Sequence, residues 1–268
     1  MRYLAAMTMM FLIAVCKMGH AGCLTNGDFE AVPFLSGWEP TNSVYNPVLP
    51  HDGLVSGSNT AAFLTSGGAY AAGMYQAIAS TGPEWQFDVL FATAGGAKGG
   101  FQLLLYGVDR TSIWLQVEAD GSVRSDGVDL FGNAPIVNFS FDANSNNSFS
   151  DDVDTLNVYA LRLLGHFYET PAYDVLLSDA NTLSLTHIQT GLIAGSRGTS
   201  DFSDGLTCVR FESGSAPSVV DQVAVVPEPS GIVMLETLLA IIFLAATSRV
   251  IHRLRCTTRS GSRLAVGC

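Results

Sequence analysis

The sequence predicts an all-β protein, one antiparallel β-sandwich set between two apolar terminal segments that belong to export and not to the fold. Three observations carry this expectation. Between residues 24 and 226, short runs rich in aromatic and β-branched residues alternate with clusters of Gly, Asn, Asp and Ser. No amphipathic helical period interrupts them, and roughly a dozen such runs over ~200 residues is the density of a sandwich. The long apolar runs lie only at the two ends of the 268-residue chain.

The first of these ends reads as a signal peptide, residues 1–22. Arg2 gives a basic start, residues 4–15 (LAAMTMMFLIAV) form an apolar run with one Thr, and Gly19 and Ala21 flank His20 with small residues before a cut. A run this short suits a cleaved secretory helix better than a permanent span. Ala21-Gly22-Cys23 offers a lipidated cysteine as a competing reading, but His20 stands where an aliphatic residue belongs in such a box.

Residues 23–226 form the sandwich. Trp85, Phe87, Val89 and Phe91 alternate with Gln86, Asp88 and Leu90, a period of two that buries one face of a strand. Runs 101–106, 112–118, 136–141, 157–164, 173–177, 183–189, 206–212 and 219–225 read the same way. Asp120-Gly121 closes one hairpin and Ser178 to Asn181 another. The glycines from Gly95 to Gly100 lack the spacing and the Ser/Thr of a phosphate loop and read as a hairpin connection.

The last region, residues 227–268, begins with Pro227-Glu228-Pro229, a stiff joint that neither helix nor central strand tolerates. An apolar stretch at about 231–248 then reads as a transmembrane helix, with Glu236 near its outer end. Arg249, Arg253 and Arg255 follow, with two more arginines beyond, and the positive-inside rule places this cluster in the cytoplasm and the sandwich outside.

Charge and cysteine usage agree with export. The chain carries 13 basic and 24 acidic residues and a net charge of -11, which excludes a basic face for nucleic acid. Residues 23–230 hold six of the basic residues against 23 acids, a net charge of -17, which favours hard divalent cations such as Ca²⁺. The sandwich keeps only Cys23 and Cys208, one near each end, so a single disulfide between them is an open pairing and a zinc cluster is not expected. Residues 142–154 alternate Asp and Asn at first like a calcium loop. Asn147 replaces the turn glycine and Val153 the closing Glu, so a solvated loop is the favoured reading.

Pro227-Glu228-Pro229, an apolar span and an arginine cluster in that order resemble the PEP-CTERM sorting signal of exported bacterial proteins. The resemblance covers about the last forty residues and implies an exosortase-type processing enzyme as partner, a membrane helix that is transient, and delivery to the cell surface or extracellular matrix. Asn26-Gly27-Asp28-Phe29-Glu30 followed by Gly37-Trp38, with Val219 to Val223 near the other end, resembles the first and last strands of galactose-binding-like jelly rolls, the fold of many carbohydrate-binding modules. That resemblance implies a jelly roll in which Glu30 and Asp221 share a structural Ca²⁺, and polysaccharide as ligand.

Catalytic signatures are missing from the chain: no Gly-x-Ser-x-Gly, no HExxH, and His51, His166 and His187 far apart in sequence. A non-catalytic surface protein is therefore expected, with an envelope glycan hydrolase or a purely structural matrix protein as the alternatives. Among the aromatics, Trp114 shares a strand face with Gln116, opposite Ile113, Leu115 and Val117, which makes it the ring best placed to stack on a sugar.

Overall fold

Runs of alternating burial become two antiparallel sheets of seven strands each. The computed structural model describes residues 24–41, 47–67, 70–95, 99–107, 112–140, 156–166, 172–194 and 205–227. The chain falls into two units, Met1–Pro227 and Glu228–Cys268, and every described residue lies in the first. The signal segment 1–22, Cys23, Glu228, Pro229, the span 231–248, Arg249, Arg253, Arg255 and the 142–154 loop lie outside the described residues.

In chain order the strands are β1 (Glu39–Thr41), β2 (Val48–Asp52), β3 (Thr60–Leu64), β4 (Ser66–Gly67), β5 (Tyr70–Ala71), β6 (Gly73–Ala77), β7 (Glu84–Thr93) and β8 (Phe101–Tyr106). They continue as β9 (Ser112–Val117), β10 (Val123–Ser125), β11 (Val128–Asp129), β12 (Tyr159–His166), β13 (Ala172–Ser178), β14 (Leu185–Ile193), β15 (Cys208–Ser213) and β16 (Ser218–Pro227). The front sheet runs β1-β6-β15-β8-β9-β10-β11 and the back sheet β14-β13-β12-β7-β16-β3-β2, while β4 and β5 pair separately.

The expected alternation on β7 holds: Trp85, Phe87, Val89 and Phe91 are all buried, and β12 and β16 flank the strand on either side. Between the sheets Phe91 stacks on Phe101 with ring centroids 4.2 Å apart, and Phe101, Phe87 and Trp38 all meet Phe211. These rings tie the back sheet to the centre of the front one and supply the apolar burial that a two-layer fold needs. Opposite Trp85 on β12 stands Gly165, where a Cβ would come within 2.2 Å of the indole, so the ring lies flat against bare backbone.

Both expected turns form. Around Asp120-Gly121 the Glu118 N–H donates to the Ser122 carbonyl and the Gly121 N–H to the Glu118 carbonyl, Gly121 takes φ 85°, and the Asp120 carboxylate accepts the Ser122 N–H at 2.9 Å. The turn after Ser178 carries Asn181 and Leu183 at positive φ and delivers the chain into β14.

Three expectations need correction. Residues 26–30 form turns and not an opening strand, because Asn26 and Phe29 sit at φ 53° and 57° and the segment folds onto Val223 and Gln76 instead of pairing along its length. Residues 136–140 are irregular: the Ile136 and Val137 N–H groups both donate to Gly121, and only Ser140 bridges Ala94. Strands β7 and β8, on either side of Gly95–Gly100, belong to opposite sheets, so the two do not form a hairpin. Strands β2, β3 and β6, rich in Ala, Pro and Gly, were not anticipated, since their burial comes from neighbours remote in sequence.

Candidate functional site

Two places gather polar side chains beyond what the fold itself uses. The first is the outer face of the front sheet. Strands β6, β15, β8 and β9 each turn one set of residues inward and the other out, and the outward set is half-buried along the three central strands β15, β8 and β9. Register places Glu39, Tyr75, Arg210, Leu104 and Trp114 in one row across five strands. A parallel row runs Glu212, Gln102, Gln116, Arg124 and Asp129. At ~4.8 Å per strand, Tyr75 and Trp114 stand about 14 Å apart. Tyr106 is the diagonal neighbour of both Trp114 and Arg210, a separation of about 7–8 Å between backbones.

Side-chain contacts follow this register. The Tyr75 hydroxyl donates to Glu39, the Arg210 guanidinium donates to Glu212, and Gln116 donates to Glu118. Arg124 lies 2.7 Å from Asp129 and 3.7 Å from Glu118. Burial pushes the Tyr106 hydroxyl pKa up, against a smaller opposing effect of the Arg210 charge beside it. The face ends in an open cleft of about 440 Å³ lined by Glu118, Asp120, Ser122, Arg124, Asp129 and Asn133.

Trp114 is held from behind. Its backbone N–H donates to Asp126 Oδ1 at 3.1 Å, and the other Asp126 oxygen accepts the Tyr173 hydroxyl at 2.9 Å. Tyr173 is fully buried on β13 of the back sheet and also meets Ser125 Oγ at 2.7 Å. Burial first, and the Asp126 charge second, push the tyrosine pKa far up, so this hydroxyl stays protonated and pins the β10–β11 turn under the edge of the face.

Trp114 is the ring of this face that the sequence favours for stacking, and it sits on the predicted side of β9, partly exposed. Of the other rings, Trp38, Trp85, Tyr159 and Tyr173 are core. Tyr75 and Tyr106 stand among the aromatics the sequence offers for sugar stacking, without being distinguished from the core rings, whereas Arg210, Glu212, Gln102 and Gln116 carry no motif that marks them as site residues. Each lies on the polar side of a period-two run, the one signal available; that β15 is inserted between β6 and β8 is not written in any local pattern.

The second place is where Glu30 and Asp221 grip one loop from two sides. Glu30 Oε1 accepts the Asn59 N–H at 2.5 Å and the Thr60 N–H at 3.0 Å, while Oε2 accepts Asn59 Nδ2 at 3.1 Å. These backbone and side-chain donors hold the Glu30 carboxyl below its ordinary pKa. Asp221 is buried, accepting Leu54 N–H on one oxygen at 2.9 Å and its neighbour Gln222 N–H on the other at 2.8 Å. Burial raises its pKa despite those donors, and the Glu30 charge adds to the rise. A register shift in β16 between Asp221 and Ala224, with Gln222 at φ 48°, swings the aspartate under the loop.

The loop turns N–H donors, not carbonyl oxygens, toward both carboxylates, and the Glu30 charge disfavours that of Asp221, so the two acids supply at most the carboxylate half of a Ca²⁺ site. Among the described residues no group of three or more His, Cys, Asp or Glu gathers to hold a metal, so the remaining ligands would have to be loop carbonyls and water. Cys208 is a free thiol on the outer face of β15, its pKa raised by burial, and Cys23 lies outside the described residues.

No protein-family model matches the chain, and no curated protein matches it. Among solved structures it is similar to the CBM2 module of Lactobacillus casei BL23 phage J-1 evolved Dit, at 12% identity over 78% of this chain and 97% of that one, with a TM-score of 0.42. It also resembles a GH43 glycoside hydrolase engineered to display endo-xylanase and exo-arabinofuranosidase activity, at 12% identity and a TM-score of 0.46, over 74% of this chain but only 40% of that one. A third is the exoplasmic/lumenal domain of VIP36 in its Ca²⁺/Man3GlcNAc-bound form, at 10% identity over 77% of this chain and 88% of that one, with a TM-score of 0.41. Likeness this remote transfers neither ligand nor activity to this chain.

Proposed function

We propose that this is an exported, non-catalytic surface or matrix protein that binds polysaccharide on the outer face of the front sheet. The observation that carries the reading is the pair of rows on that face. Trp114, Tyr106 and Tyr75 stand among Gln102, Gln116, Arg210 and Glu212, half-buried and close enough to address successive sugars. Rings supply flat apolar surface for the C–H face of a pyranose, and amide, guanidinium and carboxylate groups supply donors and acceptors for its hydroxyls. Where Ca²⁺ is bound, Glu30 and Asp221 are the side chains that would hold it, neutralising a buried charge and fastening the 54–60 loop. The Cys23–Cys208 disulfide remains part of this proposal for the oxidised, exported form, as does the jelly-roll ancestry drawn from the resemblance.

The terminal segments support the other half of the reading. The signal-like 1–22 run, the Pro227-Glu228-Pro229 joint, the apolar stretch at about 231–248 and Arg249, Arg253 and Arg255 fit export followed by exosortase-type processing.

Affinity electrophoresis of the purified protein through gels containing neutral glycans tests the binding half. Retardation without release of reducing sugar is expected; mobility unchanged on every glycan sinks it, and turnover of any glycan replaces it with a hydrolase. Intact-mass spectrometry of the protein from its native host tests the sorting half. The mature form is expected to lack residues 1–22 and the span at 231–248, and a mass that retains 231–268 refutes processing.

A further inference from the structure

We infer that the front-sheet face selects uncharged glycans and rejects those bearing uronate or sulfate groups. The inference rests on the polysaccharide reading and adds the class of ligand.

Its basis is the state of the two cations on the face. Arg210 is held by Glu212 two residues along the same strand, and the Tyr106 hydroxyl lies against the same guanidinium. Arg124 is held between Asp129 at 2.7 Å and Glu118 at 3.7 Å, with one Nη also donating to the Gly127 carbonyl at 3.3 Å. Among the described residues of the face, therefore, each guanidinium already has a carboxylate, and Glu39 adds a further acid at the β1 end. The first row holds one acid, Glu39, for one arginine, Arg210, while the second sets Glu212 and Asp129 against Arg124, and the cleft sets Glu118, Asp120 and Asp129 against the same arginine.

A paired guanidinium and carboxylate present donors and acceptors side by side at near-zero net charge. That is the complement of a vicinal diol, which donates and accepts at once. A uronate or sulfate group approaching either arginine must displace a carboxylate held at contact distance and then face the surplus acids, which costs affinity through like-charge juxtaposition. An anionic polymer also meets the negative field of the whole exported region before it arrives.

The test compares retardation of the purified protein by hydroxyethylcellulose and by polygalacturonate, with divalent cations chelated so that none bridges acid to acid. The neutral polymer is expected to bind at least about tenfold more tightly, and the gap is expected to narrow as salt screens the face. Glu212→Gln frees Arg210 while keeping the side-chain shape, and the ratio is expected to shift toward polygalacturonate by about tenfold or more. Equal binding of the two polymers by the unaltered protein, or an unmoved ratio in Glu212→Gln, overturns the inference while leaving the polysaccharide reading intact. Retention on neither polymer, with mobility unchanged on every other neutral glycan as well, overturns both.

Discussion

Replacing Trp114 with Ala is expected to weaken glycan retention by roughly ten- to a hundredfold with the sandwich still folded. The magnitude follows from losing the apolar area that one large ring buries, about 1.5–3 kcal/mol, at 1.4 kcal/mol per tenfold in Kd. The fold survives because the strand's own contribution to the core comes from Ile113, Leu115 and Val117 on the opposite side. Backbone pairing also remains, since the Asp126 contact is made by the Trp114 main-chain N–H and not by its ring. Affinity electrophoresis reads the loss and the thermal midpoint checks the fold. Trp114→Phe, which keeps a flat ring, is expected to recover most of the retention. Unchanged retention in Trp114→Ala would move the binding surface off this sheet, and a collapse of the midpoint alone would make the ring structural.

The ease with which Trp114 was found, and the failure to find its partners, have one physical cause. Period-two burial is local, so the side of β9 on which Trp114 stands is legible from five consecutive residues. The same logic correctly buried Trp85 and Phe91. Which strands stand beside β9 is a long-range fact: Arg210 reaches Leu104 only because β15, a hundred residues on in the chain, inserts between β6 and β8. The face is a property of strand order and cannot be read from any one run. Misreadings of residues 26–30 and 136–140 are the converse. Residues 26–30 read as a strand only by resemblance and carry one apolar residue, Phe29, which is buried from a turn at positive φ; residues 136–140 have strand-like composition, but Ile136 and Val137 donate to Gly121 instead of joining a ladder. The pairing of Glu30 with Asp221 came from resemblance alone. The structure brings both acids to the 54–60 loop although 190-odd residues separate them, and the Asp221 register shift that achieves it leaves no sequence signature.

That buried aspartate has the largest expected effect on stability. Asp221→Ala removes the acceptor of the Leu54 N–H, and one buried donor left without a partner costs about 1–3 kcal/mol. The charge adds a pH signature. Because the folded state raises the Asp221 pKa, it binds more protons than the unfolded state between the two values, and stability conferred at low pH is lost as pH rises through the folded pKa. Glu30, Asp120 and Asp179 have lowered values and act oppositely, losing their contributions as pH falls through the ordinary carboxylate range and below. In chelator the thermal midpoint is therefore expected to rise as pH drops from neutral through the folded Asp221 pKa, and to fall again once the acids with lowered values begin to take up protons. On the proposed Ca²⁺ reading, the cation at saturation takes the place of a proton in neutralising the aspartate. It is expected to raise the neutral-pH midpoint and flatten the acidic maximum, by mass action on the folded state alone. Asp221→Asn separates the two causes: it keeps one acceptor for the loop but carries no charge, so the rise toward acid and the response to Ca²⁺ are both expected to vanish. A Ca²⁺ response surviving in Asp221→Asn places the cation elsewhere. A midpoint in chelator that shows no rise at any pH below neutral removes the buried charge as the source of instability, and Asp221 is then only an anchor for Leu54.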